Sequence, residues 1–430
     1  MTTTIAGFPY AEMQFNKEGD IHDQAEVNAL SDLLDQGVTD LLVLSHGWNN
    51  DMSDARRLYK KLLRKLRKRI ETDGGIDSGA ELAILGVLWP SKKFANSELI
   101  ASGAASMGAT VDSEALNEQI ANLKGGFDAE DGDRILDQLA ALAPTIEDSK
   151  NAQDQFYTLA LQLLDESKLD IEISEEVPVG WTGIEGREAL DELSKPRMGG
   201  VTAGGDGPDA AAFGFLSGIT GAAQSLLNLL TFYQMKHRAG AVGENGLHDV
   251  LLGALGSHPS LRIHLVGHSF GARLVTATLR GADRAARIEV RSLTLLQGAF
   301  SHNGLARNYD GSNDGHFRVV IDDDRVGGPV VITHTVNDKA VGIAYPLASR
   351  LKPRNASAIV GDKHDPYGGM GRNGAQNTPE ARQMQMRPKG HSYQFTDGAV
   401  HNLNADSQID DHGDVANQAV ASVVLSALKA

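Results

Sequence analysis

Ser269 stands at the centre of Gly267-His268-Ser269-Phe270-Gly271, a G-x-S-x-G pattern that can present a hydroxyl as a nucleophile. A serine hydroxyl is a poor nucleophile at neutral pH and needs a histidine base that is itself oriented by a carboxylate. Two downstream segments offer these partners: Asn337-Asp338 supplies Asp338 as the acid, and Asp411-His412-Gly413-Asp414 supplies His412 as the base. His401 is the rival base, and Asp322 to Asp324 and Asp365 are rival acids. His46, in His46-Gly47-Trp48-Asn49-Asn50, reads as a structural hydrogen-bonding residue of its loop, and His268 as a neighbour that packs or donates beside Ser269. Asp414 is the expected cap of the helix that follows, because short carboxylates accept from the first free N–H groups.

These residues need elements to position them. Ile263 to Val266 is a short apolar run that enters the serine turn, and an Ala/Leu/Val-rich stretch with helical spacing leaves it. In a chain with 47 glycines the pattern alone discriminates little, so the strand before it and the helix after it carry the reading. Gly267 is expected to clear the neighbouring strand, and Gly271 to let the helix start close to the sheet. Asp40–Ser45, Glu81–Trp89, Val290–Leu296, Val330–Thr335 and Tyr393–Asn404 read as further strands. Residues 1–36 read as a short strand or arm and a first helix. Ala55–Glu71, capped by Asp51 or Ser53, reads as a helix with nine Lys and Arg on its outer face, a solvated surface in preference to an anionic membrane-surface helix, and Val415–Leu428 as the last helix. Strands alternating with helices predict a doubly wound, mostly parallel α/β sheet, with ligands at the strand C-termini.

Composition bounds the rest. At 430 residues the chain can bury one large core or two modest ones. Cys is absent, which excludes disulfides, thiolate catalysis and zinc–thiolate sites. No secretory signal is visible at the N-terminus, and a cytoplasmic protein is expected. The net charge of −16 argues against nucleic acid as the main partner. Residues 101–210 hold 23 acidic and 7 basic residues, leaving 33 of each elsewhere, so the excess acidity lies in one interior block. Such a shift marks an insertion: 96–215 as an acidic, mainly helical cap, with 1–95 and 216–430 as the core. Helical stretches within the insertion include Arg134–Leu142 and Gln155–Leu164. Both junctions flank the expected catalytic end, so the block could reach over Ser269. Ala210–Met235 is uncharged but diluted by Gly, Gln and Asn, and reads as a buried helix more readily than a bilayer span. Lys195–Asp209 and Tyr367–Gly374 are Gly-rich without phosphate-loop spacing, and no set of residues has a persuasive metal spacing.

LSHGWNND, HLVGHSFGARLV, SLTLLQGAFSH, ITHTVNDKAVGIAYPLAS and DHGDV together resemble the serine α/β-hydrolase superfamily, and more narrowly bacterial α/β-hydrolases with an HGWN-type oxyanion loop. The resemblance covers about residues 38–95 and 220–430. It implies Ser269 as nucleophile, Asp338 as acid and His412 as base, with backbone N–H groups of Trp48 and Phe270 forming the oxyanion hole. A carboxylic ester is the expected substrate, with lipid ester, thioester and amide left open, and no cofactor or metal is expected; a membrane-acting lipase or phospholipase and a non-catalytic hydrolase-fold binding protein are the alternatives. Phe270 departs from the smaller or polar residue usual after the nucleophile, which bears on the shape of the pocket.

Overall fold

The computed structural model describes residues 3–73, 75–76, 79–91, 112–164, 183–195, 218–341, 363 and 368–430. It is an α/β protein that divides into two compact units. The first comprises Met1–Ser91, Arg238–Val341 and Gly369–Ala430, and the second Lys92–His237 and Gly342–Gly368.

The strands are β1 (Thr4–Ile5), β2 (Phe8–Gln14), β3 (Asp40–Ser45), β4 (Leu82–Leu88), β5 (Arg262–His268), β6 (Ser292–Leu296), β7 (Val330–His334), β8 (Ala381–Gln385) and β9 (Val400–Asn404). The helices of the first unit are α1 (Gln24–Leu34), α2 (Met52–Thr72), α8 (His248–Ser257), α9 (Phe270–Arg280) and α10 (Gln418–Lys429). Those of the second are α3 (Ser113–Asn122), α4 (Gly132–Leu142), α5 (Lys150–Leu161) and α6 (Gly186–Ser194), while α7 (Gly218–Ala241) begins in the second and ends in the first.

The nine strands form one sheet in the order β1-β2-β4-β3-β5-β6-β7-β9-β8, parallel throughout except for β1 against β2. Every residue of β3, β4, β6 and β7 is buried, as apolar runs in a parallel sheet covered on both faces should be. Tyr59, Leu63 and Leu66 of α2 join Val420, Val424 and Leu428 of α10 over Leu42, Leu44, Ile84 and Val266. Strand residues alternate faces, so Gly267, next to Val266, faces the other side, against α9. The chain passes from β3 through α2 to β4 on one side, and from β5 through α9 to β6 on the other. Neighbouring strands whose connections diverge leave a crevice at their carboxyl ends, and β3 and β5 make that switch point here. Register aligns those ends: Ser45 lies beside Gly267, His268 beside Leu296, and His334 beside Asn404.

The second unit is helical in its described part. Phe156, Ala160, Leu190 and Leu193 are buried between α5 and α6, and Gly186 allows the approach, since a Cβ there would lie 2.7 Å from Tyr157 Cβ. The Glu147 carboxylate accepts from the Ile219 and Thr220 N–H groups at the start of α7. Residues 196–217 and 364–367 lie outside the described residues, and with them nearly all of the Gly-rich Lys195–Asp209 stretch, the start of Ala210–Met235, and Asp365 to Tyr367. No described helix is long and apolar enough to cross a membrane.

Several local expectations change. The last strand is Val400–Asn404 and does not begin at Tyr393: the Tyr393 N–H donates to Ser426 Oγ of α10, and the chain turns at Gly398 with φ +68°. Strand β8 has no apolar alternation and is largely exposed, so nothing in its sequence announced it. Asn417, and not Asp414, caps α10, its Oδ1 accepting from the Val420 N–H; Asp414 holds the Asn417 amide instead. Asp51 caps α2 in a reciprocal box with Asp54.

Candidate active site

Ser269 sits between β5 and α9 at φ +58° and ψ −123°, a left-handed backbone that costs a non-glycine residue about 1–3 kcal/mol. The glycines on either side make the turn possible, with roles that differ in part from those expected. A Cβ at Gly267 would fall 2.2 Å from Gly271 O, so it clears the helix start and not a neighbouring strand. A Cβ at Gly271 would fall 2.3 Å from Ser45 O and 2.5 Å from His46 O, so this glycine seats α9 against the end of β3.

The three expected catalytic residues come together. Ser269 Oγ lies 2.8 Å from His412 Nε2, and His412 Nδ1 lies 2.8 Å from Asp338 Oδ2. Asp338 is fully buried, and its other carboxylate oxygen accepts from the Val341 N–H. Ser269 and His412 retain 6% and 7% exposure. Asp338 follows β7 and His412 follows β9, adjacent strands whose loops are joined by a second carboxylate. Asp406 accepts from Thr335 Oγ1 and from the Val336 N–H, while Asn337 Nδ2 donates to the Asp406 and Ile409 carbonyls.

The loop after β3 presses on Ser269: a Cβ at Gly47 would lie 2.7 Å from Ser269 Cβ and 3.2 Å from its Oγ. Asn50 Nδ2 donates to the Gly47 and Trp48 carbonyls, and Ser91 Oγ donates to Asn50 O. His46 is neutral in this scaffold. Burial pulls its pKa down to about 4, against the Gly47 carbonyl bonded to Nδ1, while Nε2 accepts from the Trp89 N–H. Tyr59 Oη completes the brace, accepting from the His46 N–H and donating to Val87 O. In a trans peptide the N–H opposes the preceding C=O, so the Trp48 N–H points away from Asn50. Phe270, the first residue of α9, brings the other expected donor, and its ring lies 6.0 Å from that of Trp48.

His268 is also neutral: burial first, and then His412 beside it, draws its pKa down to about 3. Its Nε2 is therefore the donor to His412 O at 2.9 Å, tying the His412 loop to the Ser269 turn, and the two rings lie 4.9 Å apart.

The rivals lie elsewhere. His401 Nε2 accepts from the Thr396 N–H within the β9 neighbourhood, and Asp322 and Asp323 pair with arginines, Asp322 with Arg318 and Asp323 with Arg325. Asp365 is outside the described residues. Asp406, Asn337 and Asn50 were not singled out by sequence. Asn50 had a signal, its place in the HGWNN segment, whereas the role of Asp406 depends on β7 and β9 being neighbours. Among the described residues no group of three His, Asp or Glu side chains converges to hold a metal ion. Comparison with family models, curated proteins and solved structures finds no match, so the site is read from its own geometry.

Proposed function

We propose that the protein is a serine hydrolase of α/β-hydrolase fold that cleaves carboxylic esters through an acyl-enzyme. The observation that carries the reading is the unbroken chain Ser269 Oγ–His412 Nε2, His412 Nδ1–Asp338 Oδ2, each link 2.8 Å, on a strained turn between strand and helix. Ser269 attacks the ester carbonyl carbon as His412 Nε2 takes its proton, and Asp338 holds the imidazolium. The Trp48 and Phe270 N–H groups receive the developing oxyanion, each donor contributing about 3–4 kcal/mol to the transition state. His412 returns the proton to the departing alkoxide, then activates a water that releases the acid and restores Ser269.

Support comes from the neutral state of His46 and His268, which leaves His412 as the histidine placed to exchange protons with Ser269. The test is labelling by a fluorophosphonate, which reacts only with an activated serine. Wild-type protein should label at Ser269 and hydrolyse short-chain esters, and Ser269→Ala should do neither while keeping its fold. A wild-type protein that neither labels nor turns over any ester in a short-to-long acyl panel would mark this as a hydrolase-like scaffold without catalysis.

A further inference from the structure

The outer face of α2 carries a groove of about 550 Å³ lined by Arg57, Lys60, Lys61, Arg64, Lys65 and Lys68, with Gln418 of α10 as its far wall. At 1.5 Å per residue the cationic row is about 16 Å long. Five of the six side chains are exposed and Lys65 is half-buried. Some cations elsewhere on the surface are matched, as Arg56 is with Glu12 and Lys124 with Asp137. In the groove only Arg57 has such a partner, Asp54, and the other five make no ion pair with any described residue.

We propose that this groove seats the protein on a membrane surface of acidic phospholipid, which makes lipid esters the substrate class of the site described above; the substrate assignment rests on the hydrolase reading. Four of the six cations are lysines, compact point charges that suit an array of phosphates better than the planar, bidentate recognition that arginine favours. No aromatic side chain lines the groove, so it lacks the stacking platform by which single-stranded nucleic acid is held. The apolar face of α2 is already buried against the sheet and α10, so binding would be electrostatic and not insertion of the helix. The groove also adjoins the catalytic loops along the chain. Helix α2 begins directly after the loop that presses on Ser269, and Gln418 follows His412 by six residues.

The experiment is co-sedimentation of the full chain with vesicles of phosphatidylcholine alone, or of equal parts phosphatidylcholine and phosphatidylglycerol. The wild type is compared with Lys61→Gln/Arg64→Gln/Lys65→Gln and with Ser269→Ala, and circular dichroism checks the fold of each. A basic residue near an acidic surface contributes about fivefold in partitioning, so the triple variant should lose about 100-fold on the acidic vesicles. Wild-type binding should weaken as salt is raised, because exposed charges are screened within about 10 Å at 0.1 M. Ser269→Ala should sediment like the wild type, since it keeps the groove. Equal sedimentation of wild type and triple variant, or no preference for acidic vesicles, overturns the proposal and leaves the hydrolase reading intact. So does retention of a single-stranded oligonucleotide or a soluble inositol phosphate without vesicle binding. Should partitioning behave as expected while no ester is cleaved, the docking surface stands and the hydrolase reading falls.

Discussion

Two sets of serine, histidine and aspartate stand at opposite ends of the same parallel sheet. At the carboxyl end, Ser269, His412 and Asp338 meet in loops. At the amino end, Ser292 Oγ lies 2.8 Å from His264 Nδ1, and His264 Nε2 lies 3.2 Å from Asp40 Oδ1. Residue types and distances are alike, yet the surroundings are not. Ser292, His264 and Asp40 sit within regular β6, β5 and β3, are 1–2% exposed, and no helix N-terminus or strained turn adjoins them. Arg262 adds a cation 2.8 Å from Asp40 Oδ2. Burial alone would raise the Asp40 pKa, but hydrogen bonds from His264, Arg262 and Thr39 outweigh it and hold the carboxyl well below its ordinary value. His264 is in turn kept neutral, chiefly by burial. The amino-end set is a polar stitch across three strands. On the proposed hydrolase reading, what would set chemistry apart from stitching is the positive-φ turn at Ser269, the backbone donors beside it and access to the crevice, not the triplet itself.

The sharpest way to break this comparison is to remove each serine. Ser269→Ala and His412→Ala should each lower turnover on the order of 10⁴–10⁶-fold with the fold retained, whereas Ser292→Ala should leave turnover within about twofold. Asp338→Asn should cost about 10⁴-fold by favouring the wrong imidazole tautomer; Asp40→Asn should leave turnover at neutral pH unchanged. If Ser292→Ala or Asp40→Asn abolished hydrolysis in folded protein, the distinction between the two ends would collapse.

A middle tier concerns what supports the carboxyl-end set. Asn50→Ala frees the Gly47 and Trp48 carbonyls, and the displaced loop after β3 should cost about 10–100-fold in turnover with little change in KM. The stitch should register in stability instead. Ser292→Ala leaves His264 Nδ1 buried without a partner, a loss of about 1–3 kcal/mol measurable as a lower urea midpoint.

A further expected effect is a pH dependence of that midpoint. His46 and His268 have folded pKa values of about 4 and about 3, below the ordinary 6.5, so the unfolded chain takes up their protons first. The stability they support is complete above pH 6.5 and is lost as pH falls towards 4 and then 3. Asp40 acts in the same direction lower down: its depressed pKa gives stability present above about pH 4 and lost below it. Asp40→Asn should therefore flatten the acid limb below pH 4 and leave the limb from 6.5 to 4 in place.

The two ends also differ in what the sequence discloses. Ser269 is legible because its glycines, strand and helix are contiguous, and Asp338 and His412 because each lies in a loop after an apolar run. The stitch is not legible: Asp40, His264 and Ser292 are separated by more than 200 residues in all, and only the order β3-β5-β6 brings them into register. Asp406 is hidden for the same reason. Strand β8 and the cap at Asn417 were missed on local grounds, the first because ARQMQ is polar on an exposed edge, the second because two capping residues lie three apart.

The elbow and its base are 143 residues apart, and the base arrives only with β9, beyond β5, β6 and β7 in the sheet. A parallel sheet closes through long loops and forms slowly, so Ser269 can occupy its finished turn well before His412 docks beside it. Until then the serine lacks an acceptor for its proton and is chemically inert. If the hydrolase reading holds, activity would report that the far flank of the sheet has folded: on refolding from urea, recovery of helical circular dichroism should precede recovery of fluorophosphonate labelling, and the lag would time the docking of β9.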